Sequence, residues 1–276
     1  MISNPDTNSD RSSETLLDST VQLNFIRHDG NRGNVSKDVI AVEAPLTIYI
    51  NGEELVTLLC TPDNLENLAL GFLQSEGLVA KPSEIKKVTI DKGKGRVWIG
   101  TTAETKLNQE MLGRRMIPSG CGRGATFYQT IDAMTIPRVT SDFTVQTADL
   151  TRLMKEFQRM SHLYRITGGV HSAALCNKEK IICFFEDIAR HNAVDKLFGY
   201  CLKEKVTTAN LILMTSGMVS SEILLKSARR SIPVVSSKSA PTSLAIDLAE
   251  RLGVTIVGFI RGVRLNVYTH TSRVIA

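Results

Sequence analysis

The sequence is poor in aromatic residues, poor in proline and empty of long apolar runs. Phe, Trp and Tyr make up 5% of its 276 residues, with a single tryptophan and eight prolines. No stretch approaches the roughly eighteen consecutive apolar residues that cross a bilayer as a helix, so no membrane span is expected. Nineteen glycines without a period exclude a collagen-like repeat. Five cysteines contain no C-x-x-C pair, which removes the usual zinc ribbon and redox motifs. The opening residues are polar, with no charged segment leading into an apolar core, so no secretory signal is expected. A soluble protein of a reducing, cytoplasmic compartment fits these absences.

Nucleotide and deaminase motifs are missing too. Neither G-x-x-x-x-G-K-[ST] nor G-x-G-x-x-G occurs. A zinc deaminase needs H-x-E followed by P-C-x-x-C; here His171 is followed by Ser172 and Ala173, and Cys121 by Gly122-Arg123-Gly124. No zinc site is expected.

What is present is ordinary in amount and uneven in placement. Hydrophobic residues are 42% and charged residues 22% of the chain, enough for one large domain or two modest ones. The formal net charge is +5, but residues 190–276 alone carry +7 and the remainder −2. A basic C-terminal third attracts anions, phosphates among them, or simply keeps the surface soluble.

Three stretches organise the chain. Residues 1–20 are rich in Ser, Thr, Asn and Asp and read as a loose leader. Residues 21–140 read as a β-rich α+β N-terminal domain. It contains a hairpin around Asn51-Gly52, two strands marked by Val88, Ile90, Val97 and Ile99, and a helix after Thr61-Pro62, with Thr61 as its cap. Residues 141–276 follow α/β grammar. A helix capped by Thr147 precedes strands at 172–176 and 181–185, a helix at 189–204, a strand at 209–214, a helix at 219–230, a strand at 232–235, a helix from Pro241 and an apolar strand at 254–260. Strands buried on both faces and separated by helices imply a layered, partly parallel sheet.

Ligands of such sheets sit beyond the carboxyl ends of the strands. Ser216 and Gly217, Ser239 and Thr242, and Arg261-Gly262-Val263-Arg264 all fall there, where small residues let backbone N–H groups approach an anion. Arg190, His191 and Asn192 open a helix, with Asp195 and Lys196 one turn on; Asp195 is placed to orient Arg190 or His191. A purely structural capping network is the alternative. Gly169 and His171 form a second polar start. Cys121 lies in the glycine-rich loop 112–127, near Arg114, Arg115 and Arg123, a setting for a reactive thiolate. A single such thiol suffices to carry sulfur as a persulfide; an inert exposed loop is the alternative.

The blocks Cys60–Gly77, 119–124, Gly168–Leu175, Glu186–Lys196, Ser239–Thr242 and Gly258–Arg261 occur in the order seen in the formate dehydrogenase accessory sulfurtransferase family (FdhD/NarQ), which the chain resembles from about residue 43 to 269. The resemblance implies an α/β C-terminal domain of the three-layer α/β/α, cytidine-deaminase-like type without its zinc chemistry. It implies a cytoplasmic homodimer that takes sulfur from a cysteine desulfurase and passes it to the molybdenum bis(molybdopterin guanine dinucleotide) cofactor of apo-formate dehydrogenase. That cofactor is cargo, held through its guanine nucleotide moiety; no nucleic-acid polymer is implied. Carried over by position, Cys121 becomes the persulfide residue. Phe259, Ile260, Arg261, Gly262, Val263 and Arg264 become cofactor-binding, with Gly169, His171, Arg190, His191, Asn192, Asp195, Lys196, Ser216, Gly217, Ser239 and Thr242 around them. Two departures stand out. Gly124 occupies the place of a second cysteine, and Ala189 that of a glycine before Arg-His-Asn. A non-catalytic cofactor chaperone is the rival reading, and a nucleotide hydrolase a distant third.

Overall fold

The computed structural model describes residues 19–102, 116–117 and 136–276. The N-terminal body is a five-stranded sheet in the order β5-β6-β3-β4-β7, from β3 (Ala44–Ile50), β4 (Glu53–Cys60), β5 (Ile85–Asp91), β6 (Arg96–Thr101) and β7 (Met116–Ile117). Asn51 and Gly52 join β3 to β4 with φ of 49° and 91°, the left-handed pair a two-residue hairpin needs. Leu46, Ile48, Ile50, Leu58, Val97 and Ile99 face α1 (Leu65–Ser75), whose Leu68, Ala69, Phe72 and Leu73 complete the core.

Thr61 does not cap α1. The helix starts at Leu65 behind Asn64, at φ 51°. The Thr61 N–H and hydroxyl both donate to Asp187 Oδ2, at 3.2 and 3.1 Å. A partner 126 residues away outbids the local cap. Thr147 is likewise the first residue of its helix rather than its cap.

The hairpin β1 (Thr20–Asp29) and β2 (Arg32–Ala41) forms its own two-stranded sheet. It rests against the short helix α3 (His162–Thr167), so part of the stretch expected to belong to the first body leans on the second. Its apolar alternation is real, yet Leu23, Ile26 and Val35 are exposed.

The second body is a six-stranded sheet in the order β10-β9-β11-β12-β13-β14: β9 (His171–Cys176), β10 (Ile181–Asp187), β11 (Ile212–Thr215), β12 (Val234–Ser237), β13 (Thr255–Arg261) and β14 (Arg264–Val267). Strands β11, β12 and β13 are parallel; β9 and β14 run antiparallel to their inner neighbours. Helix α2 (Thr147–Met160) covers one face through Leu150, Leu153, Met154 and Phe157. Helices α4 (Arg190–Lys203), α5 (Ser221–Arg229) and α6 (Ser243–Leu252) cover the other. The result is a three-layer α/β/α unit. Strand β11 begins at Ile212 rather than 209, because Thr208 hydrogen-bonds the Arg230 carbonyl and Leu211 N–H closes back on Thr208. A short parallel pair, β8 (Val145–Gln146) with β15 (Val274–Ile275), forms a two-stranded sheet of its own.

The bodies meet where α1 crosses α4. A Cβ on Gly71 would stand 1.7 Å from the Asp195 carbonyl oxygen, and one on Gly199 1.8 Å from that of Asn67. Only hydrogen fits at either position, and the two backbones touch. Among the described residues no helix is long and apolar enough to cross a membrane.

Candidate functional site

The sheet topology gathers polar residues at one edge. Because β9 is antiparallel to β11, its first residue, His171, lies at the edge where β11, β12 and β13 end. Chain order therefore contributes His171, then Arg190 and His191 at the start of α4, Thr215–Gly217 at the end of β11, Ser237–Ser239 at the end of β12, and Arg261 at the end of β13.

Hydrogen bonds fix these loops to one another. Ser216 Oγ accepts the Ser172 N–H at 2.9 Å and lies 3.5 Å from His171 Nδ1. Ser237 Oγ donates to the Gly217 carbonyl at 2.7 Å and accepts the Ser239 N–H at 2.9 Å. The Phe259 N–H then donates to the Ser239 carbonyl at 3.1 Å. Thr242 caps α6, accepting the Ala245 N–H at 3.2 Å, so its hydroxyl serves the frame.

Two features are shaped for close approach. A Cβ on Gly217 would meet Arg190 Cδ at 3.2 Å and His171 Nδ1 at 3.4 Å, so glycine there lets those side chains close on the loop. Phe259 sits at φ 52° within a bulge of β13, a left-handed conformation that a non-glycine residue adopts only under constraint. The Arg261 guanidinium lies 5.5 Å from the Phe259 ring centre. Ile260, expected among the ligand-binding residues, is 1% exposed and belongs to the core beside α2. Val263 is almost fully exposed at the following turn, after Gly262 at φ 60°.

The edge is electropositive. Burial pulls the His171 pKa below the ordinary histidine value, helped by Arg190, His191 and Lys238 and opposed by Asp187. Burial also lowers His191, here opposed by Glu222, whose Oε2 lies 2.9 Å from His191 Nε2. Lys238 Nζ stands 5.1 Å above the Tyr164 ring. Such a set of fixed N–H groups and cations suits an anionic ligand.

The rest of the α4 cluster turns away from this edge. Asn192 Nδ2 donates to the Leu59 carbonyl at 2.9 Å and to Asp187 Oδ1 at 3.0 Å. Lys196 is fully buried and donates to Asp63 Oδ1 and Thr61 Oγ1 at 2.7 Å, with Asp187 Oδ2 at 2.9 Å. Burial works against the Lys196 ammonium, yet Asp187 and Asp63 raise its pKa. Asp195, expected to orient Arg190 or His191, accepts from Lys226 Nζ at 2.6 Å and from Ser75 Oγ at 2.6 Å. These three residues join the two bodies, and Gly169 lies beside Ala41 at the end of β2.

Glu222 and Tyr164 were not anticipated. Lys238 follows β12 directly before Ser239, whereas Glu222 faces His191 only through the packing of α5 on α4, which leaves no local signature. Among the described residues no group of His, Cys, Asp or Glu could hold a metal ion. Cys60, Cys176, Cys183 and Cys201 are buried free thiols, and burial pushes Cys176 up to about 12. Cys201 is lowered by a hydrogen bond from Cys183 and by Arg230, but is 1% exposed. Cys121, the expected carrier, lies outside the described residues.

Known proteins share this architecture. The chain is 43% identical over 255 residues to the sulfur carrier protein FdhD of Bacillus licheniformis, covering 92% of this chain and 97% of that one. It is 45% identical over 239 residues to that of Geobacillus kaustophilus, covering 87% and 91%. A crystal structure of a protein described as a formate dehydrogenase accessory protein from Desulfotalea psychrophila superposes with a TM-score of 0.77 at 25% identity, covering 93% of this chain and 99% of the other. The FdhD/NarQ family model matches residues 41–275, nearly the whole folded chain, and the protein belongs to that family.

Proposed function

We propose that this protein is a sulfur carrier for the maturation of formate dehydrogenase, working in the cytoplasm as a homodimer. In this reading the Cys121 thiolate attacks the outer sulfur of a cysteine desulfurase persulfide. The donor leaves as its thiol, Cys121 keeps the outer sulfur as a persulfide, and no net oxidation occurs. The outer sulfur is then passed to the molybdenum bis(molybdopterin guanine dinucleotide) cofactor, which is cargo, before apo-formate dehydrogenase receives it; Cys121 leaves as its thiolate, and the reduced metal centre of the cargo supplies the two electrons that take the sulfane sulfur to sulfide.

The observation that carries the reading is the electropositive strand edge, within a chain whose relatives are named sulfur carriers. Arg190, His191, Lys238 and Arg261 supply charge for the phosphates of a guanine nucleotide moiety. The Ser216-Gly217 and Ser239 loops supply backbone and hydroxyl groups. The Phe259 bulge sets the far side. Asn192, Asp195 and Lys196 hold the frame rather than the ligand.

The test is sulfur loading. Purified protein is incubated with an active cysteine desulfurase and L-cysteine, and added sulfur is mapped by peptide mass spectrometry. A one-sulfur adduct on Cys121, lost in C121A together with dehydrogenase maturation, supports the carrier. Maturation by C121A at the wild-type level would instead establish a cofactor chaperone, which needs only the strand-edge site.

A further inference from the structure

Helices α4 and α5 face each other through two charged rungs. His191 and Asp195 lie four residues apart on α4; Glu222 and Lys226 lie four apart on α5, so each pair shares a helix face. The deeper rung, Asp195 with Lys226 at 2.6 Å, is almost fully buried and is also tied to Ser75. The outer rung, His191 with Glu222 at 2.9 Å, has both side chains 19% exposed. It lies beside Arg190 at the strand edge. A rigid inner rung thus fixes the helices, while the outer one stays in reach of solvent protons.

The charges around the outer rung come from every packed element. Glu222 and Lys226 face His191 from α5, and Arg190 from α4 itself. Across from it, His171 of β9 faces Arg190, His191, Lys238 and Asp187. Arg190 and Lys238 add positive charge beside the imidazoles, which gain charge only when something offsets these neighbours.

We propose that Glu222 is a positioning residue of the strand-edge anion site, holding its carboxylate beside the His191 imidazole at the rim so that the ring becomes a cation when an anionic ligand arrives. This rests on the reading of that edge as a nucleotide phosphate site. A diphosphate brings negative charge beside the ring and favours imidazolium; the proton is taken from solvent. Ligand binding is therefore linked to proton uptake, and affinity rises as pH falls through the His191 titration. Glu222 favours imidazolium, so its neutralisation moves that titration to lower pH.

The experiment uses the full chain with GDP as probe. His191 is titrated by NMR of labelled imidazoles, and GDP binding is measured by calorimetry from about pH 6 to about pH 8, the histidine range, in buffers of different ionisation enthalpy. Wild type is expected to take up a proton on binding, with affinity rising by at most about tenfold per pH unit for one proton. E222Q shifts both the His191 midpoint and the affinity rise downward. H191Q removes that part of the rise, and it decides the matter if E222Q fails to fold. An unchanged His191 midpoint in E222Q, or an unchanged pH dependence in H191Q, overturns the inference. GDP bound without proton uptake overturns it alone; no GDP binding by wild type at any pH overturns the underlying site reading with it.

Discussion

Two surfaces of α4 begin within two turns of each other and do opposite things. At its start, Arg190 and His191 meet the strand edge, partly exposed and beside other cations. Just beyond, Asn192, Asp195 and Lys196 are buried, and their polar atoms are taken by Leu59, Asp187, Asp63, Thr61, Ser75 and Lys226. In sequence all five look alike. What separates them is burial: Asn192, Asp195 and Lys196 are enclosed by protein and hold the structure together, whereas Arg190 and His191 stay partly exposed, within reach of a ligand.

The comparison can be broken first at the seam. K196M leaves Asp187 and Asp63 without their counter-charge, a loss expected to cost about 3–5 kcal/mol, measured by urea denaturation. A K196M protein of unchanged stability would mean that the seam is not a closed network. Next is G199A. At an exposed helix position alanine would add about 1 kcal/mol of stability; here the Asn67 carbonyl stands where the methyl must go, and a loss of about 1–3 kcal/mol or more is expected. Thermal unfolding gives the sign directly. The smallest effect on stability belongs to the edge. K238M keeps the aliphatic stem and removes a cation over Tyr164, so stability should change by no more than about 1 kcal/mol, while GDP affinity falls by a few-fold in calorimetry. If K238M unfolds the protein, or K196M loses only ligand affinity, the assignment of the two surfaces is reversed.

Much of this was legible from local pattern. The Asn51-Gly52 turn, the apolar strands of the parallel core and the loops beyond their ends follow from short-range rules, so the edge at His171, Ser216, Ser239 and Arg261 could be foreseen. Long-range partners could not. Thr61 has the chemistry of a cap and is claimed by Asp187; Asp195 has the spacing to serve His191 and is claimed by Lys226 and Ser75. Glu222 is one glutamate among many until α5 packs on α4. Ile260 falls inside a recognised block, but the bulge at Phe259 breaks the alternation of β13 and puts Ile260 on the same face as Val257, against α2.

The glycine crossing of α1 and α4 also bears on how the chain is made. Synthesis runs from the N-terminus, and Gly71 precedes its partner Gly199 by 128 residues. Thr61 and Asp63 likewise await Asp187 and Lys196. The N-terminal sheet can form early, but one side of α1 stays uncovered until roughly residue 200 has left the ribosome, an exposed interval of many seconds at about 5–20 residues per second. During that interval the half-finished protein presents the bare helix face around Gly71, with no α4 backbone yet made to cover it.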